Sequence, residues 1–469
     1  MKFSRLHLAD NASIVTPTVP GIKSKFLLEE QEKYESNNRN YPRNIPIALK
    51  RGKGSIIEDV DGNLFLDFFA GCGVLNVGHN NEEILEAIQK QMAEIIHCLD
   101  FPTEVKIEFM KTLNDHLPPA LKDKFKFNFC GPTGADAVEA ALKLARMNTR
   151  RDNIISFQGA FHGMTTGALS VTSNKKNRVG LSVLNQSTHF VPYSYCYRCP
   201  FGKQPDACNL ECARHLGQLL SNPSSGLNKP AAVIVEPVQG EGGTIIPHEG
   251  FLEEVTRICR EEEVITIFDE IQAGFYRTGP MFSFQHSAAV PDLVTVSKAF
   301  GGIGMPLAML LIRKELDIWE AGTHTGTFRG NQLSIAAGNA AIRFVVENDV
   351  QAHVKELEGI MLDAFRLMQK QSKVMGDVRG IGLMFGIEYV KDKGTKEPFP
   401  EYVALLHRKL YENGILIETG GHFSNVARFL PPLVTTKQMI CNFLEIFDRV
   451  NREVERVLTG SVVEMIAMN

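Results

Sequence analysis

Apolar positions set three successive rhythms along the chain. Before residue 45 they are scattered among polar residues and interrupted by Pro17, Pro20 and Pro42, which predicts an irregular arm with one helix around Lys23–Ser36. Two short runs, Ser55–Asp59 and Leu64–Phe68, flank Asp61-Gly62-Asn63. Asp-Gly supplies a left-handed turn, so the pair predicts a hairpin. Ile84, Ile88 and Met92 then recur at four-residue steps, the face of a helix.

From about residue 125 the rhythm changes. Phe125, Phe127 and Phe129 alternate with Lys126 and Asn128, as in a strand. Gly134–Asn148 carries Ala137, Ala141 and Leu144 on one helical face. Apolar runs at Ile154–Phe157, Ala231–Val235, Val264–Phe268, Leu293–Val296 and Leu307–Ile312 predict further strands, with a helix at Phe251–Arg260. Mostly continuous apolar strands alternating with helices predict a mainly parallel sheet covered on both faces. Ligands gather at the carboxyl ends of such strands.

After about residue 345 the pattern predicts a long helix Ala340–Gln371, the segment Gly380–Tyr389, and a helix near Tyr402–Glu412. Ile415–Glu418, Arg428–Leu433 and a final helix from Thr436 complete it. This is a smaller α+β domain, which the N-terminal hairpin is expected to join. The expected division is an arm and part of the small domain over 1–80, a large domain over 81–340, and the rest of the small domain over 341–469. No repeat or low-complexity block interrupts it.

Composition narrows the class. The 469 residues are 44% hydrophobic and 22% charged, an ordinary globular balance that excludes fibres and disorder. Lys+Arg 50 against Asp+Glu 54 gives a net charge of −4, so no basic excess points to nucleic acid. No apolar run has the length of a membrane span. Met1–Pro20 lacks an apolar signal core, because Asp10, Asn11 and Ser13 interrupt it. Nine cysteines are too few for a secreted disulfide framework of this length. A cytoplasmic protein is expected.

Three strands run into polar residues. Ala231–Val235 leads to Glu236-Pro237-Val238-Gln239-Gly240, Val264–Phe268 to Asp269-Glu270-Ile271-Gln272, and Leu293–Val296 to Ser297-Lys298. An acid ending a buried strand costs several kcal/mol unless paired, so Asp269 is expected to have a cationic partner. A structural Asp–Lys pair would explain either residue alone. Cys130-Gly131-Pro132-Thr133-Gly134-Ala135 is a strand-to-helix turn of small residues, in which Thr133 can cap the helix and the open amides suit a phosphate. No Lys-Ser/Thr follows its glycines, so it is no Walker loop, and Ile245 spoils the dinucleotide fingerprint at Gly240-Glu241-Gly242-Gly243.

Phosphate turn, aromatic, acid and lysine are the four parts that a pyridoxal phosphate enzyme needs. Phe161, before His162-Gly163, can stack on the pyridine. The carboxylate keeps the ring nitrogen protonated, and the lysine forms the Schiff base and moves protons.

With these parts in view, the sequence resembles the class III (ω-type) aminotransferases over nearly its whole length. Thr133-Gly134-Ala135 resembles their phosphate turn, Phe161-His162-Gly163 their stacking segment, and Ser297-Lys298 their Schiff-base site. Asp269-Glu270-Ile271-Gln272 with Arg277-Thr278-Gly279 resembles their central signature, which implies Asp269 on the pyridine nitrogen and Gln272 near the ring oxygen. Gly326-Thr327-Phe328-Arg329-Gly330-Asn331 resembles the segment that lends a phosphate-binding Thr327 to the neighbouring subunit. The resemblance implies an α/β protein of fold type I, with a mainly parallel seven-stranded sheet in the large domain and a smaller α+β domain. It also implies pyridoxal 5′-phosphate as cofactor and a homodimer with shared active sites. Phe275-Tyr276 departs from the small residues usual in the signature, and the run Gly301–Pro306 is one residue longer than usual.

For substrate, Arg428 resembles the family arginine that binds the α-carboxylate of 2-oxoglutarate or glutamate, by a bidentate fork. Glu236 resembles the glutamate that masks this arginine for ω-amino substrates; the other reading is a structural acid held by backbone amides. Glu35–Arg43 and His324–Gln332 are similar to 2,4-diaminobutyrate aminotransferases, which implies a diamino acid as amino donor and a keto acid as acceptor. A racemase, epimerase or amine lyase on the same fold is the alternative. Cys196, Cys199, Cys208 and Cys212 have a spacing that could hold zinc or an iron–sulfur cluster; the reading adopted is reduced thiols and no metal.

Overall fold

The computed structural model describes residues 2–180 and 187–467. The chain divides into two compact units, 83–351 and the combination of 1–82 with 352–469.

In the first unit a seven-stranded sheet has the order Phe125–Phe129, Met309–Arg313, Leu293–Val296, Ile265–Asp269, Ala232–Val235, Ile154–Phe157, Thr188–Val191. Met309–Arg313 runs antiparallel to both neighbours, and the remaining pairs are parallel, so the sheet is mainly parallel. The helix Gly134–Thr149 lays Ala137, Ala141 and Leu144 among Ile234, Ile267 and Leu310 of one sheet face. Alanines there let the helix axis approach closely. The helix Phe251–Glu261 buries Phe251, Val255 and Ile258, with Glu253 and Glu254 in its first turn, where the helix dipole favours acids.

In the second unit Ile56–Asp59 and Leu64–Asp67 form the expected antiparallel hairpin, extended by Leu49–Lys53, and Ile415–Leu416 adds in parallel to Leu64–Asp67. Asp61 in the hairpin turn also accepts the Lys23 and Ser24 amides, each at 2.8 Å, and so caps the helix Ile22–Tyr34. A second sheet has the order Met375–Ile381, Met384–Tyr389, Val426–Phe429, Glu418–Gly420. Phe365, Phe385, Phe429, Phe443 and Phe447 cluster beneath it, with Phe365 5.3 Å from Phe429 and 5.4 Å from Phe447 between ring centroids.

Two expectations are corrected. The single helix Ala340–Gln371 is two, Gln332–Glu347 and Val350–Gln371. Asn348 closes the first with its side-chain amide on Phe344 O at 2.9 Å, and Asp349 takes a left-handed φ of 43°, which Asp tolerates better than most residues. The apolar periodicity runs on across this break and so hides it. Gly380–Tyr389 is the inner part of a hairpin that begins at Met375 and turns at Gly382, with φ 56°.

Candidate active site

The parallel register sets Val235 opposite Phe268 and Asp269 opposite Thr295, so Glu236, Asp269 and Ser297-Lys298 lie at the carboxyl ends of neighbouring strands. Asp269 is buried. Its Oδ1 accepts from the Ile271 amide at 3.0 Å and the Thr295 hydroxyl at 3.1 Å. Its Oδ2 lies 2.6 Å from His162 Nδ1. The acid thus meets an imidazole, which completes its buried hydrogen bonding. His162 is itself fixed, because its amide donates to Thr172 Oγ1 at 3.0 Å.

Glu236 is buried and receives two backbone amides, Phe161 at 3.1 Å on Oε2 and Gly240 at 3.1 Å on Oε1. Burial pushes its carboxyl up to about 7; the nearby Asp269 adds to this and His162 opposes it. These two amides tie the loop after one strand to the backbone of the aromatic segment. Glu270 points the other way, fully buried, accepting from Ser283 N and Oγ at 2.9 and 2.8 Å and from Phe284 N at 2.9 Å.

Lys298 is half-buried and has φ 50°, a left-handed conformation that costs a non-glycine residue of order 1–3 kcal/mol. Ser297 before it is anchored by its hydroxyl on Leu307 O at 2.9 Å. Tight anchoring on one side and a strained turn on the other set where this lysine emerges.

Thr133 stands at the N-terminus of Gly134–Thr149. Asp136 Oδ2 accepts its amide at 2.9 Å and its hydroxyl at 2.7 Å, a capping arrangement. The next amides, of Gly134 and Ala135, have no acceptor within the helix. A Cβ on Gly163, at φ +134°, would come within 2.7 Å of Ala135 Cβ, and one on Gly134 within 2.9 Å of Ile271 Cδ1. The turn at Thr133–Ala135 therefore packs closely against Gly163 of the aromatic segment and against Ile271 after Asp269. This cradle, with a buried acid and a lysine at the adjoining strand ends, fits pyridoxal 5′-phosphate.

Gln272 is buried and Phe161 half-buried. Thr327 is exposed, after Gly326, whose Cβ position is 3.9 Å from Gly131 N. Arg329 fixes this segment through His324 O at 3.1 Å and an ion pair with Asp100. Arg428 lies in the other unit, fully buried on the strand Val426–Phe429, opposite Gly386 on one side and Glu418 on the other. Cys196, Cys199, Cys208 and Cys212 line one cavity of about 20 Å³ with Phe201 and His248. Among the described residues no group of three or more His, Cys, Asp or Glu is placed to hold a metal ion. Burial pushes the Cys212 thiol up to about 11.

Sequence reasoning missed the contact of His162 with Asp269 and the support from Thr295. A polar residue inside the apolar run Leu293-Val294-Thr295-Val296 was the available signal for the latter.

The family description Aminotransferase class-III matches residues 37–450. A diaminobutyrate–2-oxoglutarate aminotransferase of Rhizobium meliloti is 42% identical over 418 residues, 87% of this chain and 88% of that protein. One of Haemophilus influenzae is 40% identical, over 89% of this chain and 93% of its own. Among solved structures, a taurine:2-oxoglutarate aminotransferase of Bifidobacterium kashiwanohense, in complex with pyridoxal phosphate and glutamate, is 27% identical with a TM-score of 0.83, covering 92% of this chain and 98% of that one. Fold and site together define a pyridoxal-phosphate-dependent enzyme of fold type I. The chain belongs to the class III aminotransferases, and its activity is that of a transaminase.

Proposed function

We propose that this transaminase moves the terminal amino group of 2,4-diaminobutyrate to 2-oxoglutarate, and back from glutamate. The observation that carries this reading is the likeness, over most of both chains, to two diaminobutyrate–2-oxoglutarate aminotransferases at 42% and 40% identity. Screening amino donors with 2-oxoglutarate, and measuring glutamate formed per donor consumed, tests it. Equal turnover of unrelated ω-amines, or a preference for a donor without an α-amino acid head, would overturn the substrate assignment.

In this reading the amides of Gly134 and Ala135 with Thr133 bind the cofactor phosphate, and Phe161 covers the pyridine ring. Gln272 lies near the ring oxygen. Asp269, held by His162, keeps a proton on the ring nitrogen. Bound there, pyridoxal 5′-phosphate supplies the electron sink that the protein's own side chains lack. Lys298 would be the covalent anchor, and its Nζ, once released, would take a proton from the amino-bearing carbon and hand it on rather than return it to that carbon. Arg428 binds the α-carboxylate of 2-oxoglutarate in a bidentate fork.

The enzyme acts as a homodimer in which Thr327 reaches the partner's phosphate. Supporting this, Phe101 and Phe328 are each 68% exposed, and Ile95, Ile96, Leu99 and Ile107 are exposed as well. The two stretches meet through the His97 and Phe328 rings, 5.8 Å apart, and the Gln332 amide on Ile96 O. Such a surface is the mark of an interface. A cytoplasmic location is consistent with nine free cysteines, and no helix among the described residues is long and apolar enough to cross a membrane.

A further inference from the structure

Four of the nine cysteines stand together in a segment that the transaminase reading has not used. Cys196, Cys199, Cys208 and Cys212 line a cavity of about 20 Å³. All four carry reduced thiols. Cys196, Cys199 and Cys208 are half-buried, and Cys212 is buried. None of them belongs to the residues assigned to cofactor or substrate.

Cys196–Arg198 is a single turn of 3-10 helix, with the Arg198 amide on Tyr195 O at 3.0 Å, and Cys199 is the residue that ends it. Such a helix repeats every three residues with a rise of about 2.0 Å per residue, so Cys196 and Cys199 stand one above the other with Cα atoms about 6 Å apart. Disulfides span Cα distances of about 4.4–6.8 Å, so joining this pair needs only side-chain rotation. The cavity gives the sulfurs a space to turn into.

Both ends of the turn are held. Upstream, the Tyr193 hydroxyl donates to Glu236 O at 2.9 Å and Pro237 O at 3.1 Å, and its ring packs edge-on against Phe157 and Phe251. Ser194 Oγ accepts the His248 amide at 2.9 Å. Downstream, the Gly202 amide returns to Cys199 O at 3.1 Å, and Phe201 lies against His215, 5.7 Å between ring centroids. A backbone fixed on both sides keeps the two cysteines in register. The other two thiols are placed differently. Cys208 Sγ donates to the Glu211 carboxylate at 3.5 Å. Burial pushes Cys212 up to about 11, which holds it as the thiol, whereas the thiolate is the form that attacks a disulfide.

We propose that Cys196 and Cys199 form a dithiol site that low-molecular-weight disulfides oxidise reversibly to an intramolecular disulfide. One cysteine thiolate attacks the oxidant, a mixed disulfide forms, and one small thiol leaves. The second cysteine thiolate then attacks the protein sulfur of that mixed disulfide, and the second small thiol leaves. Two electrons pass from the cysteine pair to the oxidant, and the two protons end on the released thiols. A bond that closes so short a loop gains little from chain entropy, so excess thiol reopens it.

The test treats the holoenzyme with oxidised glutathione, blocks the remaining thiols with iodoacetamide, and digests the denatured protein with trypsin without reduction. Trypsin cuts after Arg198, between the two cysteines. The expected product is two peptides held by one disulfide across that cut, one of them Cys199–Lys203, and dithiothreitol abolishes it. Cys196→Ser and Cys199→Ser should each remove the linked pair and leave glutathione on the remaining cysteine. Cys208→Ser and Cys212→Ser should leave the pair intact, and retained cofactor absorbance shows that each variant is folded. A dominant link from either residue to Cys208 or Cys212 would overturn the proposal, as would glutathione left on wild-type Cys199 without closure. Stoichiometric zinc in the purified protein, released as the thiols oxidise, would overturn it in favour of a metal site.

Discussion

His162 Nδ1 and Asp269 Oδ2 stand 2.6 Å apart, both side chains buried. The pair makes His162 the residue that orients the acid. Loss of one charge-assisted hydrogen bond costs about 1.5–3 kcal/mol. His162→Ala should therefore lower turnover about 10- to 100-fold, and Asp269→Asn further still, because the proton on the pyridine nitrogen then lacks its counter-charge. The pH titration of cofactor absorbance should move in both variants. Unchanged spectra with only a lower melting temperature would limit the pair to a structural role.

Lys298→Ala should retain cofactor and lose turnover by several powers of ten, since covalent anchor and base leave together. Borohydride treatment of the wild-type protein should fix the cofactor on the peptide that contains Lys298. Mass spectrometry finding it on another lysine would refute the assignment.

Glu270 offers a test of the buried acids. Burial pushes its carboxyl up to about 7, against bonds from Ser283 and Phe284 that pull it down, while Asp269 adds to the rise. A carboxyl raised on folding stabilises the native state fully below the unfolded value, near 4.5, and that contribution is lost as pH rises to about 7. Relative to Glu270→Gln, the wild type should lose of order 3 kcal/mol of stability between pH 5 and pH 8. Denaturant midpoints of the two proteins at both pH values check this. A constant difference would mean that the carboxyl is ionised throughout.

If Thr327 serves the partner's site, mixing Lys298→Ala with Thr327→Ala protein should recover activity through heterodimers with one intact site. Subunit exchange is confirmed separately by mass. Exchange without recovery would argue against shared sites. Phe101→Asp, on the exposed apolar surface, should shift the protein towards monomer in sedimentation.

Arg428→Lys should impair the half-reaction with 2-oxoglutarate much more than that with diaminobutyrate, because lysine cannot form the bidentate fork. Stopped-flow spectra of each half-reaction separate the two. Equal impairment would remove Arg428 from acceptor binding.

Much of the architecture was legible in the sequence because its signals are local. Continuous apolar runs marked Val264–Phe268 and Leu293–Val296 as buried parallel strands, and the polar residues after them offered Asp269 and Lys298 as candidates. Short, polar or exposed strands were not legible: Leu49–Lys53 has no apolar rhythm, and Thr188–Val191 only becomes a strand by pairing with Ile154–Phe157. The break at Asn348-Asp349 was hidden because an apolar repeat constrains a helix's face but not its continuity. Partnerships between distant residues were decided by the tertiary structure alone. His162 and Asp269 are 107 positions apart, and Cys72 and Glu418 are 346 apart. Sequence shows that each such residue is polar and chemically able; only the register of strands and the packing of turns decides which of them face each other.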